Sequence, residues 1–440
     1  MKNKLVKFAK FLHLKIFSHE MSHEMESFLA NLSWSFLAGL ISLPLTMVVM
    51  TLAGRFMGPE EYGKYSLLLV VNQFLTILIF FGLDITSVKY IAKAKGFQQK
   101  KKVIATVSNF IFSILLLLGI LTLIAYPFLL KFASGYTLFV LMLSFYSLVV
   151  TTKVLLDLVI RGLEEFKKQL IAKVLEVSVL IVSFIVIFIF LGKTSFASLI
   201  LVINFGAMAI SIYYLISIRK YLGRGDRKLL KSQLKEGNLF FWMALLGTLF
   251  LSSDRLVVAR SLGVKTVGIY SAYYFGSYGV VAQLTMLFTN VFFPVTSRLE
   301  DKSFSKKIDR LFLIGFVPLL IICSLILLVI LLIFGKEYPI NYFYILGFSI
   351  FSSLYFFQAL YNTVLADTTV IIYKKYLILR NAVNALTIAF YLLLVYLHIV
   401  SIGLVLAGMI INSIVVIYVE KVYIAMMKKT WDKSKIANVK

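Results

Sequence analysis

Long apolar runs, separated by short polar segments, recur along the whole chain. Each run reaches about 20 residues, the length that a helix needs to cross the hydrocarbon core of a bilayer. The runs are continuous rather than alternating, which argues against a membrane β-barrel. Since lipid offers no partner to backbone N–H and C=O groups, the runs predict transmembrane helices. We expect about twelve spans, near residues 34–54, 65–83, 103–126, 136–160, 170–191, 196–218, 239–258, 267–293, 311–334, 342–366, 376–397 and 401–419.

The two halves of the chain resemble each other. Identical residues recur at an offset of 205 in the pairs Arg55/Arg260, Gly58/Gly263, Gly63/Gly268, Tyr65/Tyr270 and Ser66/Ser271. A second match pairs Lys173 with Arg380 at an offset of 207. Because an even number of spans separates the copies, both cross in the same direction, and the repeat is parallel. We therefore predict an all-α polytopic membrane protein with two parallel six-helix bundles around a central cavity, an architecture that favours alternating-access transport.

This organisation divides the sequence into five parts. They are a basic cytoplasmic leader (1–33), an N-terminal six-helix bundle (34–218), a basic cytoplasmic linker (219–238), a C-terminal six-helix bundle (239–424) and a cytoplasmic tail (425–440). In the leader, basic residues at 4, 7, 10 and 15 are interspersed with apolar ones. That spacing is typical of an amphipathic helix on the inner leaflet, and a disordered basic leader is the alternative.

Positive charge is distributed unevenly between the two sides of the predicted membrane domain. The chain has 45 Lys and Arg residues against 20 Asp and Glu, a net charge of +25. With the N-terminus inside, 34 of the bases fall in inside segments, 7 in outside loops and 4 within spans. This asymmetry follows the positive-inside rule. It predicts a multi-pass membrane protein with both termini cytoplasmic, and it explains the charge without a nucleic-acid partner.

Composition restricts the function classes. The chain is 60% hydrophobic and only 15% charged, which excludes an ordinary soluble enzyme. The longest polar stretches, residues 1–33 and 219–238, are shorter than the roughly 40 residues that an independent domain needs. A single cysteine, Cys323, excludes an intramolecular disulfide. We predict no catalytic residue, no metal and no cofactor.

Two short motifs resemble enzyme signatures but lack the residues that the chemistry needs. His19-Glu-Met-Ser-His23 matches the pattern of zinc proteases, yet its short leader contains no evident third ligand. The segment Gly58–Lys64 resembles a phosphate-binding loop, but Tyr65 stands where Ser or Thr would bind Mg²⁺. Its repeat copy keeps the glycines and loses the lysine. Both copies therefore indicate a tight turn between helices rather than a phosphate site.

Ionisable residues within the spans are the candidate functional residues, because charge in hydrocarbon is costly. The candidates are the bases Lys153, Lys173, Arg255 and Arg380 and the acids Asp157, Glu176 and Asp254. Lys153 and Asp157 are four residues apart and Lys173 and Glu176 are three apart, so each pair can instead form a structural ion pair. The adjacent Asp254 and Arg255 either bind or gate at a cavity mouth, or form a structural pair.

Pro44 is a candidate hinge. It lies in the middle of the first predicted span, where it removes a backbone hydrogen bond and favours a kink. Its counterpart in the second half is Leu249, so the kink belongs to one half only. A hinge would suit alternating access, and a static kink is the alternative.

Several short segments resemble the oligosaccharide flippases of the polysaccharide-biosynthesis (O-antigen-unit translocase) family. They are Gly58-Pro-Glu-Glu-Tyr-Gly, Arg161-Gly-Leu-Glu-Glu-Phe, Ser253-Asp-Arg followed by Gly263 and Val267-Gly-Ile-Tyr-Ser, and Phe293-Pro with Ser297-Arg. That family lies in the multidrug/oligosaccharidyl-lipid/polysaccharide exporter superfamily. The resemblance covers spans one to eight.

The resemblance implies transport of a polyprenyl-(pyro)phosphate-linked oligosaccharide from the inner to the outer leaflet, for cell-surface polysaccharide biosynthesis. It assigns the four in-span bases to the anionic head group. The three in-span acids would then couple transport to a cation, H⁺ or Na⁺. Membrane lipids and other polysaccharide-assembly proteins are the further expected partners.

Three other functions compete with this interpretation. A cation-coupled multidrug or small-molecule antiporter of the same superfamily predicts ligand export and no glycan phenotype; the first span lacks the acidic residue usual in such relatives. A non-transporting assembly scaffold would tolerate removal of the in-span charges. A membrane-embedded glycan polymerase or glycosyltransferase would need a large loop with paired acids, and the only outside acidic pair is Glu60–Glu61.

Overall fold

A computed structural model describes residues 23–132, 134–286, 303–366 and 370–438. Secondary structure in these residues is helical throughout, which confirms the predicted all-α class. The α-helices are α1 (His23–Phe80), α2 (Leu83–Lys93), α3 (Gly96–Phe132), α4 (Ser134–Gly162), α5 (Phe166–Phe184), α6 (Phe196–Ile218), α7 (Arg227–Leu262), α8 (Val264–Tyr274), α9 (Ser303–Phe334), α10 (Tyr342–Ala366), α11 (Val370–Tyr396) and α12 (Ile402–Asn438). Short π-helical segments, Ile185–Phe190 and Phe275–Gly279, continue α5 and α8.

Within the described residues, ten helical stretches are long and apolar enough to cross a membrane. The longest of them, Gly39–Phe80, has 42 residues and covers most of the first two predicted spans, 34–54 and 65–83. The eighth predicted span, 267–293, begins on α8 and its π-helical continuation, and it ends outside the described residues. The first stretch corresponds to two predicted spans and the other nine to one each. Together with the eighth span, they account for the twelve apolar runs.

Glycines at equivalent repeat positions break the helices in the same way. Gly58 has φ 73° and ψ 171° inside α1, and Gly263 has φ 85° and ψ 166° between α7 and α8. Residues with a Cβ avoid this region of backbone conformation, so glycine is required for the turn. The match at an offset of 205 residues therefore reflects one local structure used twice.

Helix α1 continues through Pro44, and the break inside α1 lies at Gly58. The role of Pro44 as a hinge stays a prediction. Three other features of the sequence lie outside the described residues: the amphipathic pattern at 4–17, the start of the His19–His23 motif, and the segment 293–298.

The described helices form two compact units. Unit 1 contains residues up to Phe56 and Leu68–Leu245, and unit 2 contains Met57–Leu67 and the residues from Leu246 onward. The apolar core of unit 1 is built by α2 to α6 around residues such as Ile104, Ile160 and Tyr214. These side chains are fully buried, and in a bilayer it is their close van der Waals packing that holds the helices together.

Close backbone approach joins the first part of α7, up to Leu245, to the rest of unit 1. A Cβ on Gly82 would lie only 2.1 Å from the carbonyl oxygen of Gly237, so the turn before α2 fits against α7 through two glycines. Beside this contact, the rings of Phe81 and Phe241 stack at 4.3 Å. The start of α7 is capped by Asp226, whose Oδ1 accepts hydrogen bonds from the backbone N–H groups of Lys228 and Leu229.

The core of unit 2 is rich in aromatic residues. Tyr62 packs edge-on against Phe334 at 5.3 Å, and Tyr270 packs edge-on against Phe348 at 5.2 Å. The hydroxyl of Tyr273 donates to the carbonyl of Pro339 and accepts from the N–H of Asn341. Edge-to-face pairs of this kind add about 0.5–1.5 kcal/mol each beyond the area that they bury.

Apolar side chains dominate the exterior of several helices. Only 22% of the most apolar stretch of Ile308–Phe334 is buried, although its mean hydropathy is 3.4. Leu313 on α9 and Leu123 on α3 are 78% and 74% exposed. Surfaces of this composition are stable against lipid tails, and the chain is a multi-pass membrane protein.

Candidate functional site

The centre of the candidate site in unit 1 is a carboxylate shared by two lysines. Glu176 on α5 forms an ion pair with Lys153 on α4, and its second oxygen accepts a hydrogen bond from Lys173 at 2.9 Å. The Lys173 pairing within one helix agrees with the predicted spacing of three residues. Lys153 pairs with Glu176 on the neighbouring helix and not, as its spacing suggested, with Asp157 on its own helix.

Asp157 instead forms a second, neighbouring cluster. It forms a salt bridge to Arg161 one turn along α4 at 3.2 Å, and it accepts hydrogen bonds from Gln169 and Tyr214 at 3.1 and 3.2 Å. These partners come from α4, α5 and α6, so the carboxylate ties three helices together. Full pairing of this kind stabilises a partly buried charge and favours a structural role for Asp157.

The two clusters together carry an excess of positive charge. Lys153, Lys173 and Arg161 supply three charges against two from Asp157 and Glu176. The side chain of Lys173 is 31% exposed, compared with 22% for Lys153. Lys173 is therefore the most accessible base of the Glu176 cluster, and the arrangement can attract an anion at that point.

Arg380, the repeat counterpart of Lys173, lies in unit 2 on α11. Its guanidinium is within electrostatic range of Glu420 on α12 and of Tyr376 one turn away. Glu420 is fully buried and accepts a hydrogen bond from the hydroxyl of Tyr376 at 2.6 Å. The other oxygen of Glu420 has no hydrogen-bond partner among the described residues. It is the one buried carboxylate oxygen without a hydrogen-bond partner in the described part of unit 2.

Sequence reasoning did not single out Glu420, Tyr376 or Tyr214. Glu420 lies one residue beyond the end of the last predicted span, 401–419, and the candidates were limited to ionisable residues within the spans. No pattern in the sequence places it inside the bundle, because both the buried and the exposed sides of α12 are apolar. Because tyrosines are common at membrane interfaces, the sequence does not distinguish Tyr214 and Tyr376, which bind carboxylates, from the others.

Asp254 and Arg255 are both buried on α7 in unit 2. Asp254 accepts a 2.6 Å hydrogen bond from the hydroxyl of Tyr270, and its Oδ1 accepts from the backbone N–H of Arg255. The guanidinium of Arg255 donates to the carbonyl of Leu251 and lies 4.8 Å from the ring centre of Tyr274. Because both side chains have partners inside the unit, these contacts favour the structural alternative over a site at a cavity mouth.

Within the described residues, no group of three or more His, Cys, Asp or Glu side chains could hold a metal ion. Cys323 is buried and free.

The fold matches solved transporters over nearly the whole chain. An outward-facing multidrug resistance MATE family transporter of the MOP superfamily aligns with a TM-score of 0.60 at 14% identity, covering 91% of this chain and 96% of that one. An inward-facing MATE transporter aligns with a TM-score of 0.60 at 16% identity, covering 89% and 99%. A MOP superfamily transporter from Pyrococcus furiosus, described as having a binding pocket of reverse polarity, aligns with a TM-score of 0.60 at 16% identity, covering 91% and 96%. At these identities the likeness establishes a MATE/MOP-like fold.

The sequence model of one family, Polysaccharide biosynthesis protein, matches residues 28–300. This match spans more than half of the chain, and the chain belongs to that family. Among curated protein sequences, none matches the chain significantly. The family and the fold together confirm the resemblance drawn from the short motifs.

Proposed function

We propose that this protein is a flippase that moves polyprenyl-(pyro)phosphate-linked oligosaccharide units from the inner to the outer leaflet of the plasma membrane. It would work by alternating access, as a secondary transporter that supplies cell-surface polysaccharide biosynthesis. Membership of the polysaccharide biosynthesis family and the MATE/MOP-like fold support transport of a glycan-bearing substrate. The proposed driving ion is H⁺ or Na⁺.

The observation that carries this proposal is the shared carboxylate in unit 1. Glu176 neutralises one of its two lysines, so the Lys153–Glu176–Lys173 cluster keeps one positive charge. A pyrophosphate group brings about two negative charges, and a partly desolvated ammonium offsets part of its cost of leaving water. Lys173 is the base that we assign to the head group, and Lys153 holds Glu176 in place.

Arg380 is the second base that we assign to substrate, because the internal repeat pairs it with Lys173. The neighbouring Glu420 accepts a hydrogen bond from Tyr376. Replacement of Arg380 therefore removes a positive charge, while the carboxylate of Glu420 keeps this hydrogen bond. The remaining candidates, Asp157, Asp254 and Arg255, are tied to neighbouring helices, and we assign them to holding the bundles together.

Leaflet transfer of a fluorescent pyrophosphate-polyprenyl oligosaccharide, in liposomes that contain only this protein, tests the proposal. The variants are Lys173→Gln and Arg380→Gln, each measured separately. Lys193→Gln is the matched control, because it removes the same charge from an exposed loop residue. We expect transfer by the wild type and the control, and a loss of tenfold or more in each site variant.

The outcomes separate the competing functions. If both site variants still transfer the substrate, the protein is a flippase but Lys173 and Arg380 do not bind the head group. A correctly inserted wild type that transfers none of several glycans under imposed ion gradients would refute the flippase. Ligand-dependent export from cells would then identify the antiporter, and its absence the assembly scaffold.

A further inference from the structure

A cavity of about 460 Å³ lies in unit 1 between α2, α3 and α7. Its polar lining consists of Lys89, Tyr90, Lys93, Gln99, Lys102 and Glu236. Three of these six side chains are bases and one is an acid. The volume falls within the range of small-molecule sites and is ample for a phosphate-bearing head group.

The single acid of the lining already has partners that hold it. Glu236 accepts a 2.6 Å hydrogen bond from the hydroxyl of Tyr90 and forms a 3.4 Å salt bridge to Lys89. Lys102 forms a salt bridge to Asp226 at 2.5 Å, and this hydrogen bond lowers the pKa of Asp226 to about 2. Lys93 makes no salt bridge to a described residue. The lining therefore retains one positive charge after its own pairs are formed.

The segments that form the cavity are strongly basic beyond the lining itself. Residues 89–102 contain six bases and no acid, and residues 219–238 contain seven bases and two acids. Charges of one sign around a concave surface add to the potential inside it. Helix α3 also begins at Gly96, three residues before Gln99, so the positive end of its dipole lies at the same place.

Exposed apolar side chains on the two helices that carry most of the lining place the cavity at the edge of the bilayer. Ile85 on α2 and Phe97 on α3 are 47% and 45% exposed, and Phe97 packs against the ring of Tyr221 at 5.2 Å. The apolar run of α3 starts at Val103, directly after Lys102. A polar cavity at the end of an apolar helix, beside exposed apolar side chains, lies at the depth of lipid head groups.

We propose that this cavity binds the phosphate group of an anionic ligand, and that the ligand is a phospholipid of the surrounding bilayer. Lys93 and Lys102 bind the phosphate oxygens, Gln99 donates from its amide, and Ile85 and Phe97 contact the acyl chains. The positive-inside rule predicts that this is the cytoplasmic face. The site is separate from the Lys153–Glu176–Lys173 cluster, and binding here does not depend on the proposed flipping.

Lipid retention by the purified full chain, followed by native mass spectrometry, tests the site. The protein is exchanged into mixtures of phosphatidylglycerol and phosphatidylcholine. The site variant is Lys89→Gln/Lys93→Gln/Lys102→Gln. The matched control, Lys95→Gln/Lys100→Gln/Lys101→Gln, removes the same charge from the same segment but from residues outside the lining. We expect the site variant to bind phosphatidylglycerol about 100-fold more weakly and the control to lose less than fivefold.

A second arm distinguishes a lipid from a soluble phosphate compound. Inorganic pyrophosphate is titrated into the wild type in nanodiscs of phosphatidylcholine alone. Binding of phosphatidylglycerol without binding of pyrophosphate supports the lipid. If pyrophosphate binds but phosphatidylglycerol does not, and the site variant loses this binding, the cavity is a phosphate site and the proposal of a lipid ligand is refuted.

A gain-of-binding variant makes the test independent of any loss of folding. Glu236→Gln removes the one acid of the lining and frees Lys89, so we expect about fivefold tighter binding of phosphatidylglycerol. Equal losses in the site variant and the control, or no gain from Glu236→Gln, would show that general surface charge attracts the lipid, and would overturn the site.

Discussion

The hydroxyl groups of Ser66 and Ser271, 205 residues apart, lie 2.6 Å from each other in a buried hydrogen bond. The two serines occupy equivalent positions of the internal repeat, and both belong to unit 2. A residue that contacts its own repeat counterpart lies on the local two-fold axis that relates the copies. The two turns after Gly58 and Gly263 therefore pack against each other as a symmetric pair.

The glycines of these turns show the same reciprocity. A Cβ on Gly63 would lie 2.1 Å from the carbonyl oxygen of Val264, and a Cβ on Gly268 would lie 1.7 Å from the carbonyl oxygen of Pro59. Pro59 and Val264 are themselves repeat counterparts. Each turn thus presents a glycine to the backbone of the other, and the close approach requires that both glycines lack a side chain.

Replacement of either glycine by alanine should weaken this contact. We expect Gly63→Ala and Gly268→Ala each to lower the free energy of unfolding by about 1–3 kcal/mol, the usual cost of overpacking. Gly247→Ala is the matched control, since a Cβ there meets nothing within 4 Å and alanine favours a helix. Thermal unfolding in detergent measures the difference. A contact that tolerates both alanines at no cost would contradict the reciprocal packing.

A reversible crosslink at the serine pair tests whether the contact opens during transport. The variant is Ser66→Cys/Ser271→Cys with the buried Cys323 replaced by alanine. Oxidation should join the two positions, because their Oγ atoms are already 2.6 Å apart. Under the proposed alternating access, we expect oxidation to abolish leaflet transfer and a reductant to restore it.

Single-cysteine variants under the same oxidant control for damage elsewhere. If the crosslinked protein transfers lipid at the rate of the reduced protein, the contact stays closed through the cycle. The two turns would then act as a fixed pivot.

Local patterns in the sequence predicted much of the fold. The apolar runs predicted the spans, and the glycines at 58 and 263 predicted matching turns, because each signal lies within a few neighbouring residues. The Lys173–Glu176 pair was predictable for the same reason, since residues three apart share a helix face.

Pairing between helices could not be predicted in this way. Lys153 binds Glu176 on α5, and Tyr376 binds Glu420 on α12. In a bilayer both the core-facing and the lipid-facing sides of a helix are apolar, so periodicity does not show which side a neighbour covers. The exposed residues of α3, such as Leu123, are as apolar as its buried Ile104. Only the structure shows how each helix is rotated about its own axis, and therefore which side chains pair between helices.

Removal of Glu176 should be more harmful than removal of either lysine that it binds. Glu176→Gln leaves two neighbouring ammonium groups without a carboxylate, and we expect a loss of about 1–3 kcal/mol in the free energy of unfolding. Lys173→Gln leaves the Lys153–Glu176 pair intact and should cost less than about 1 kcal/mol. Thermal unfolding of the purified variants measures both.

The double variant Glu176→Gln/Lys153→Gln separates electrostatics from packing. It removes one acid and one base, so we expect recovery of at least half of the stability lost in Glu176→Gln. Losses that simply add in the double variant would mean that Glu176 stabilises unit 1 by packing alone.

The hydroxyl of Tyr376 is the only described hydrogen-bond donor to the side chain of Glu420. Tyr376→Phe removes that hydroxyl and leaves a fully buried carboxylate without a donor, while the ring keeps its packing. We expect a loss of about 1–3 kcal/mol in the free energy of unfolding, the cost of an unsatisfied buried polar group.

Tyr418→Phe is the matched control, because that tyrosine lies on the same helix as Glu420 and is 69% exposed. In the double variant Tyr376→Phe/Glu420→Gln the neutral amide needs less stabilisation, and most of the lost stability should return. Equal stability of Tyr376→Phe and Tyr418→Phe would show that the hydrogen bond to Glu420 contributes nothing measurable to unit 2.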